Sequence, residues 1–182
     1  MAQEDYAAVL ARLEKLEAEG AIRGVMARYM EICDTLSPTS PMEELGALFT
    51  REAVWTGVGP RYAGAFGGHR GRAAIVAMLA QYQGEEGGTP PHFAMNAHFL
   101  SSETIRVADG AGQAQGQWMM LQTSTYADGR SDVRSARLNV GFALEDGAWR
   151  IARFETENLF SRPVSRWDDP APVPVPGHRT GE

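Results

Sequence analysis

The stretch "DVRSARLNVGFALEDGAWRIARF", residues 132–154, decides the fold. Ala136, Leu138, Val140, Phe142 and Leu144 alternate with Arg137, Asn139 and their neighbours. A period of two gives a strand one packed face and one wetted face. "EDG" at residues 145–147 then reads as a tight hairpin turn, because an Asp-Gly pair tolerates the positive φ such turns require. A further strand follows over residues 149–160. Moving toward the N-terminus, the texture repeats: strands are expected at 112–126 and 92–107, separated by "ADG" at 127–129 and again at 108–110. Three hairpins in series make an antiparallel meander with one buried side.

The chain ahead of the meander is helical in pattern. Val9, Leu10, Leu13 and Leu16 recur at three and four, with Arg12, Glu14, Lys15 and Glu19 opposite them. That spacing predicts an amphipathic helix ending near Gly20. A second helix is expected through Ile22, Val25, Met26, Tyr29, Met30 and Cys33, broken by "SPTSP" at 37–41. A short helix carries Met42, Leu45 and Leu48. "REAVWTG" at 51–57 reads as a strand, "GAFGGHRG" at 64–71 as a loop and "RAAIVAMLAQYQ" at 72–83 as a helix. Helices before and sheet after define an α+β protein in which a curved, mainly antiparallel sheet and helices laid on its concave face enclose a cone-shaped barrel. Residues 1–162 read as one domain and 163–182 as a proline-rich tail, with Trp167 available to dock it.

Composition narrows the partners. The formal charge of -6 over 182 residues and the scattered arginines disfavour nucleic acid and anionic membranes. No basic segment precedes a long apolar run, so a cytoplasmic home is the expectation. The single cysteine, Cys33, excludes an internal disulfide and any Cys-rich zinc site. No His-Glu-x-x-His cluster, phosphate loop or nucleophile elbow is present, and neither metal nor cofactor is expected.

A cone interior is a natural small-molecule pocket. Trp55, Trp118 and Met120 supply an apolar lining suited to a ring-containing ligand, whereas Met119 and Leu121 fall on the opposite face, available to another subunit. Tyr29 and Asp34 stand five residues apart, roughly 140° around an ideal helix. Two readings stand: a phenol and a carboxylate aimed at one ligand where the helix ends, or a core tyrosine and a solvent-facing aspartate. Asp34 at a helix C-terminus opposes the macrodipole, which calls for a compensating partner or a capping role in the next turn. Among four histidines, His92 and His98 head the first meander strand and share its parity. An imidazole beside a carboxylate forms an acid–base pair working near neutral pH. Arg134, Arg137, Arg150 and Arg153 read as solvated surface, with one of them able to reach a ligand anion.

Five segments in order, "IRGVMARYMEICD" (22–34), "LFTREAVWTG" (48–57), "HRGRAAIVAML" (69–79), "HFLSSETIRVADGAGQAQGQW" (98–118) and "FALEDGAWRIARF" (142–154), resemble the SnoaL-like branch of the nuclear transport factor 2-like superfamily. The resemblance implies a cone fold, a homodimer or homotrimer, and a cofactor-free lyase akin to scytalone dehydratases and bile acid 7α-dehydratases, with formaldehyde-releasing lyases of lignin-derived diaryl compounds as a variant. It assigns Tyr29, Asp34 and His98 the catalytic roles, with His92 as a second candidate. The family often carries Asn at the position of Ser102, and Tyr and Asp at those of Leu138 and Val140. The resemblance therefore implies a greasier pocket, with Leu138 and Val140 joining Trp55, His92, Trp118 and Met120 against the substrate. A ketosteroid-isomerase-like isomerase, a noncatalytic small-molecule binder and an oxygenase accessory subunit are the alternatives on this fold.

Overall fold

A computed structural model describes residues 2–110 and 112–165, with side chains from residue 6 onward. The helices α1 (Ala2–Asp34) and α2 (Met42–Ala47) come first, then β1 (Phe49–Val58), α3 (Gly59–Phe66), β2 (Gly68–Arg70) and α4 (Arg72–Ala80). The meander β3 (Phe93–Val107), β4 (Gln113–Tyr126), β5 (Ser131–Glu145) and β6 (Ala148–Val164) follows. All six strands join one curved, open sheet in the order β2-β1-β6-β5-β4-β3. Only β1 against β6 is parallel. This is the expected α+β architecture, with the sheet wrapped about the helices but unclosed between its edges β2 and β3.

The alternation in residues 132–154 does what its period requires. Ala136, Leu138, Val140 and Phe142 are at most 2% exposed, whereas Leu144 is 50% exposed. Leu144 pairs with Trp149 at the hairpin end of β5, past the last buried position of the strand. Residue Pro163 pairs with Asp132 and Val164 with Ser131, so β6 takes in the first two residues of the expected tail. Trp167 lies outside the described residues.

Two helical expectations need correction. Gly20 does not end a helix: α1 runs unbroken to Asp34. One interior glycine costs about 1 kcal/mol relative to alanine, too little to stop a helix flanked by good helix formers and by buried Ile22 and Met26. Nothing lies within 4 Å of a Cβ built on Gly20. Gly20→Ala should therefore stabilise the protein by about 0.5–1 kcal/mol, read as a rise in the thermal or urea midpoint. The segment 64–71 is not simply a loop either, because α3 extends to Phe66 and β2 forms at Gly68–Arg70. Pro60 in the first turn and the i, i+4 pair Tyr62 and Phe66 are the helix signals there. Gly57 permits the close approach, since a Cβ on it would stand 2.6 Å from the Tyr62 carbonyl oxygen.

The core lies between the second half of α1 and the concave face of the sheet. Ala18 is the first buried residue of α1 among those described, while Tyr6, Val9 and Leu13 remain exposed. From Ile22 onward the helix buries Met26, Tyr29, Met30 and Cys33 in a core shared with the sheet, meeting β1, β3 and β6. No helix among the described residues is long and apolar enough to cross a membrane.

Candidate active site

Asp34 closes α1, and its carboxylate turns to β3 rather than capping the next turn. It accepts a hydrogen bond from the His98 backbone N–H, at 3.1 and 3.2 Å to its two oxygens, and another from His98 Nδ1 at 2.5 Å. These donors compensate a carboxylate at the negative end of a helix. The neighbouring orphan carbonyl of Cys33 accepts from Asn96 Nδ2 at 3.3 Å, so β3 caps this helix end twice. An acceptor-only carboxylate on Nδ1 places the imidazole hydrogen there. The lone pair is left on Nε2.

The His98 ring borders a cavity of about 240 Å³ enclosed by α1, α3, α4 and the sheet. Tyr29, Trp55, Met120, Leu138 and Phe154 form much of its apolar wall. Trp55 stacks on its neighbour Phe154 across the β1–β6 pairing, with centroids 5.9 Å apart and planes 3° from parallel. Behind the dyad, an outer groove of about 570 Å³ is bordered by Asp34, His98, Arg23, Glu103 and Trp118. His98 is 11% exposed and Asp34 24%. The pair thus stands between the cavity and the outer groove.

Tyr29 belongs to the core and also borders the cavity, whereas Asp34 does not border it and touches His98, which does. Tyr29 Oη accepts from Trp55 Nε1 at 3.3 Å. Burial pushes the phenol well above its usual value, and it remains a neutral donor. Burial likewise raises the adjacent Cys33 thiol to about 12, which leaves it inert.

Four sequence expectations about the lining change. Trp118 is buried but borders the outer groove, where its Nε1 donates to Glu103 Oε2 at 3.1 Å. Val140 is 0% exposed in the core and borders neither space. Ser102 is exposed, at φ 51° within the register shift of β3. Asn is enriched in that backbone region, so the residue type at this position answers to the bulge and not to pocket polarity. Among the four arginines, Arg137 and Arg153 are solvated, but the Arg134 and Arg150 side chains are only 15% and 19% exposed. Arg134 borders the cavity.

His92 stands at the cavity mouth, its ring 5.1 Å from Tyr82 and 5.3 Å from Tyr126. Partial burial and then Arg134 lower its pKa below the ordinary 6.5. The folded state therefore binds this proton more weakly than the unfolded chain. Stability from this group should be full above pH 6.5 and decline as pH falls through the lowered value. A side-chain NMR titration checks the direction: His92 should titrate below 6.5, and Arg134→Gln should move it part of the way back.

Sequence reasoning missed Asn96, Gln122 and the cavity position of Arg134. Gln122 Nε2 and Ser124 Oγ each donate to Asn96 Oδ1 at 2.8 Å, which holds the amide that caps α1. No group of three metal-ligating side chains converges among the described residues.

The family model for the SnoaL-like domain matches residues 14–155, and the chain belongs to that family. Among solved structures, a protein provisionally named scytalone dehydratase from Novosphingobium aromaticivorans DSM 12444 is 21% identical with a TM-score of 0.65, over 83% of this chain and 90% of that one. The hexachlorocyclohexane dehydrochlorinase LinA-type3 from Novosphingobium barchaimii LL02 is 14% identical with a TM-score of 0.65, over 85% and 94%. An NTF2-like protein with a cystatin-like fold from Novosphingobium aromaticivorans is 25% identical with a TM-score of 0.61, over 83% and 88%. A search of curated proteins gives no match.

Proposed function

We propose that the protein is a cofactor-independent lyase acting on a hydroxylated aromatic compound. The observation that carries this reading is the 2.5 Å contact between Asp34 and His98 Nδ1, on a ring that borders an apolar cavity. In the proposed reaction, His98 Nε2 removes a proton, either from a carbon next to a C–OH group or from a hydroxymethyl oxygen. In the first case the C–H electrons form a double bond and hydroxide departs. In the second the carbon–carbon bond breaks, formaldehyde leaves, and the released pair expels a neighbouring hydroxyl. Either departing oxygen is hydrogen-bonded by the neutral Tyr29 phenol, and Asp34 stabilises the imidazolium that forms. The similarity to a protein named as a dehydratase and another named as a dehydrochlorinase supports elimination chemistry. A cavity of about 240 Å³ falls below the ~300–1,000 Å³ of drug-sized pockets. It favours a one- or two-ring substrate over a polycyclic one.

The test is mass spectrometry of the purified protein incubated with phenylpropanoid and diaryl diols, with no cofactor or metal added. A product lighter by water, or by formaldehyde together with water, supports the proposal; binding with unchanged mass on every compound would sink it and favour isomerisation. Asp34→Asn should reduce kcat by about 10²-fold, because an amide neither stabilises imidazolium nor enforces the tautomer as a carboxylate does. Tyr29→Phe should cost less, about tenfold, with the fold unaltered by circular dichroism.

A further inference from the structure

His98, Gln122 and Arg134 are directly opposite one another on β3, β4 and β5, and all three border the cavity. With strands about 4.8 Å apart, the backbones of His98 and Arg134 are separated by roughly 10 Å, with Gln122 between them. Among the described residues bordering the cavity, Arg134 is the sole Lys or Arg, and no Asp or Glu borders it. Asp132 offsets part of the charge from behind, but it takes only Nη2, at 2.6 Å, and Tyr126 Oη accepts from that same nitrogen. Arg134 Nε is buried with no hydrogen-bond partner, and Asp132 Oδ1 is too. Asp132 therefore engages one guanidinium nitrogen of Arg134 only, and the arginine's charge stands at the wall of a cavity with no carboxylate among the described residues bordering it. Guanidinium is also the side chain whose planar fork fits a carboxylate.

We propose that Arg134 is a specificity residue that anchors a carboxylate on the substrate, placing the reacting carbon near His98 about one ring away. The substrate class is then a hydroxylated aromatic acid. This rests on the reading of the cavity as the substrate site and adds the charged group that the lyase chemistry alone does not demand.

The test is calorimetric titration of 4-hydroxycinnamate and of its methyl ester, which share the ring and differ in the anion. Wild type should bind the acid about tenfold or more tightly than the ester, the scale of a hydrogen bond to a charged group. Arg134→Gln should bring the two affinities within about twofold by weakening the acid alone. Because that variant leaves the Asp132 carboxylate, only 18% exposed, with a hydrogen bond from Tyr126 but without its cation, the double variant Arg134→Gln/Asp132→Asn is measured beside it. Equal affinities in wild type, tighter binding of the ester, no binding of either, or an acid preference surviving in the double variant would each overturn the assignment. The titrations are repeated in His98→Ala. An acid preference kept there, with no elimination of any compound by wild type, removes the lyase reading and leaves the carboxylate site. Elimination of neutral diols with no acid preference does the reverse.

Discussion

His98→Ala is expected to lower kcat/KM on the substrate identified by mass spectrometry by about 10²–10⁴-fold, the range for loss of a general base. The thermal midpoint should change little. The lost side chain fills the wall between cavity and groove, not the packed core, and the edge strand β3 keeps its ladder to β4. Because Asp34 also accepts from the His98 backbone N–H, the helix end retains a donor in the variant. A turnover within a few-fold of wild type would show that the dyad is structural. Added imidazole offers a second readout: partial rescue in His98→Ala, and none in wild type, would assign the proton transfer to the missing ring itself.

The second large effect is on stability and reaches the site through packing. Phe49 is 0% exposed and meets Tyr29 edge-on, with centroids 5.6 Å apart and planes at 85°. Phe49→Ala should destabilise the fold by about 3–5 kcal/mol, as truncation of a fully buried aromatic does. For a chain of this length that is a fall in Tm on the order of 10 °C. Tyr29 loses one ring packed against it and keeps Phe154, at 5.1 Å, and the Trp55 indole. Activity at low temperature, where the variant is still folded, should therefore fall several-fold as the phenol loses its fixed position. A loss of stability below 1 kcal/mol by urea denaturation would mean that the core collapses around the vacancy far better than its packing implies.

Much of the frame was legible because it rests on local rules. The alternation of residues 132–154 and the three Asp-Gly turns set four strands within a few residues of those observed. The candidate dyad was legible in part: His98 by its place at the head of β3, Asp34 by its discomfort at a helix end. The contact between them spans 64 positions in the chain, so no local pattern could show it. Gln122 was passed over, and Arg134 was singled out only as one of four arginines of which one could reach a ligand anion, because a polar residue inside a strand is ambiguous until register pairs it with a cavity wall. Trp118 and Val140 failed differently. Both are buried, as expected from their parity, but parity says which face a side chain takes and not which space on that face it borders.

The sequence by itself determined the order of helices and strands, the packed face of each strand and the residue types able to move a proton, since these follow from backbone sterics and the periods of 3.6 and 2. The tertiary structure decided which buried residues border the cavity. α1 runs unbroken past Gly20 and ends against β3 at His98, with the cavity bordered by Tyr29 on one side and the Trp118 groove on the other. That division depends on where the helix lies against the sheet, a result of the whole core packing at once.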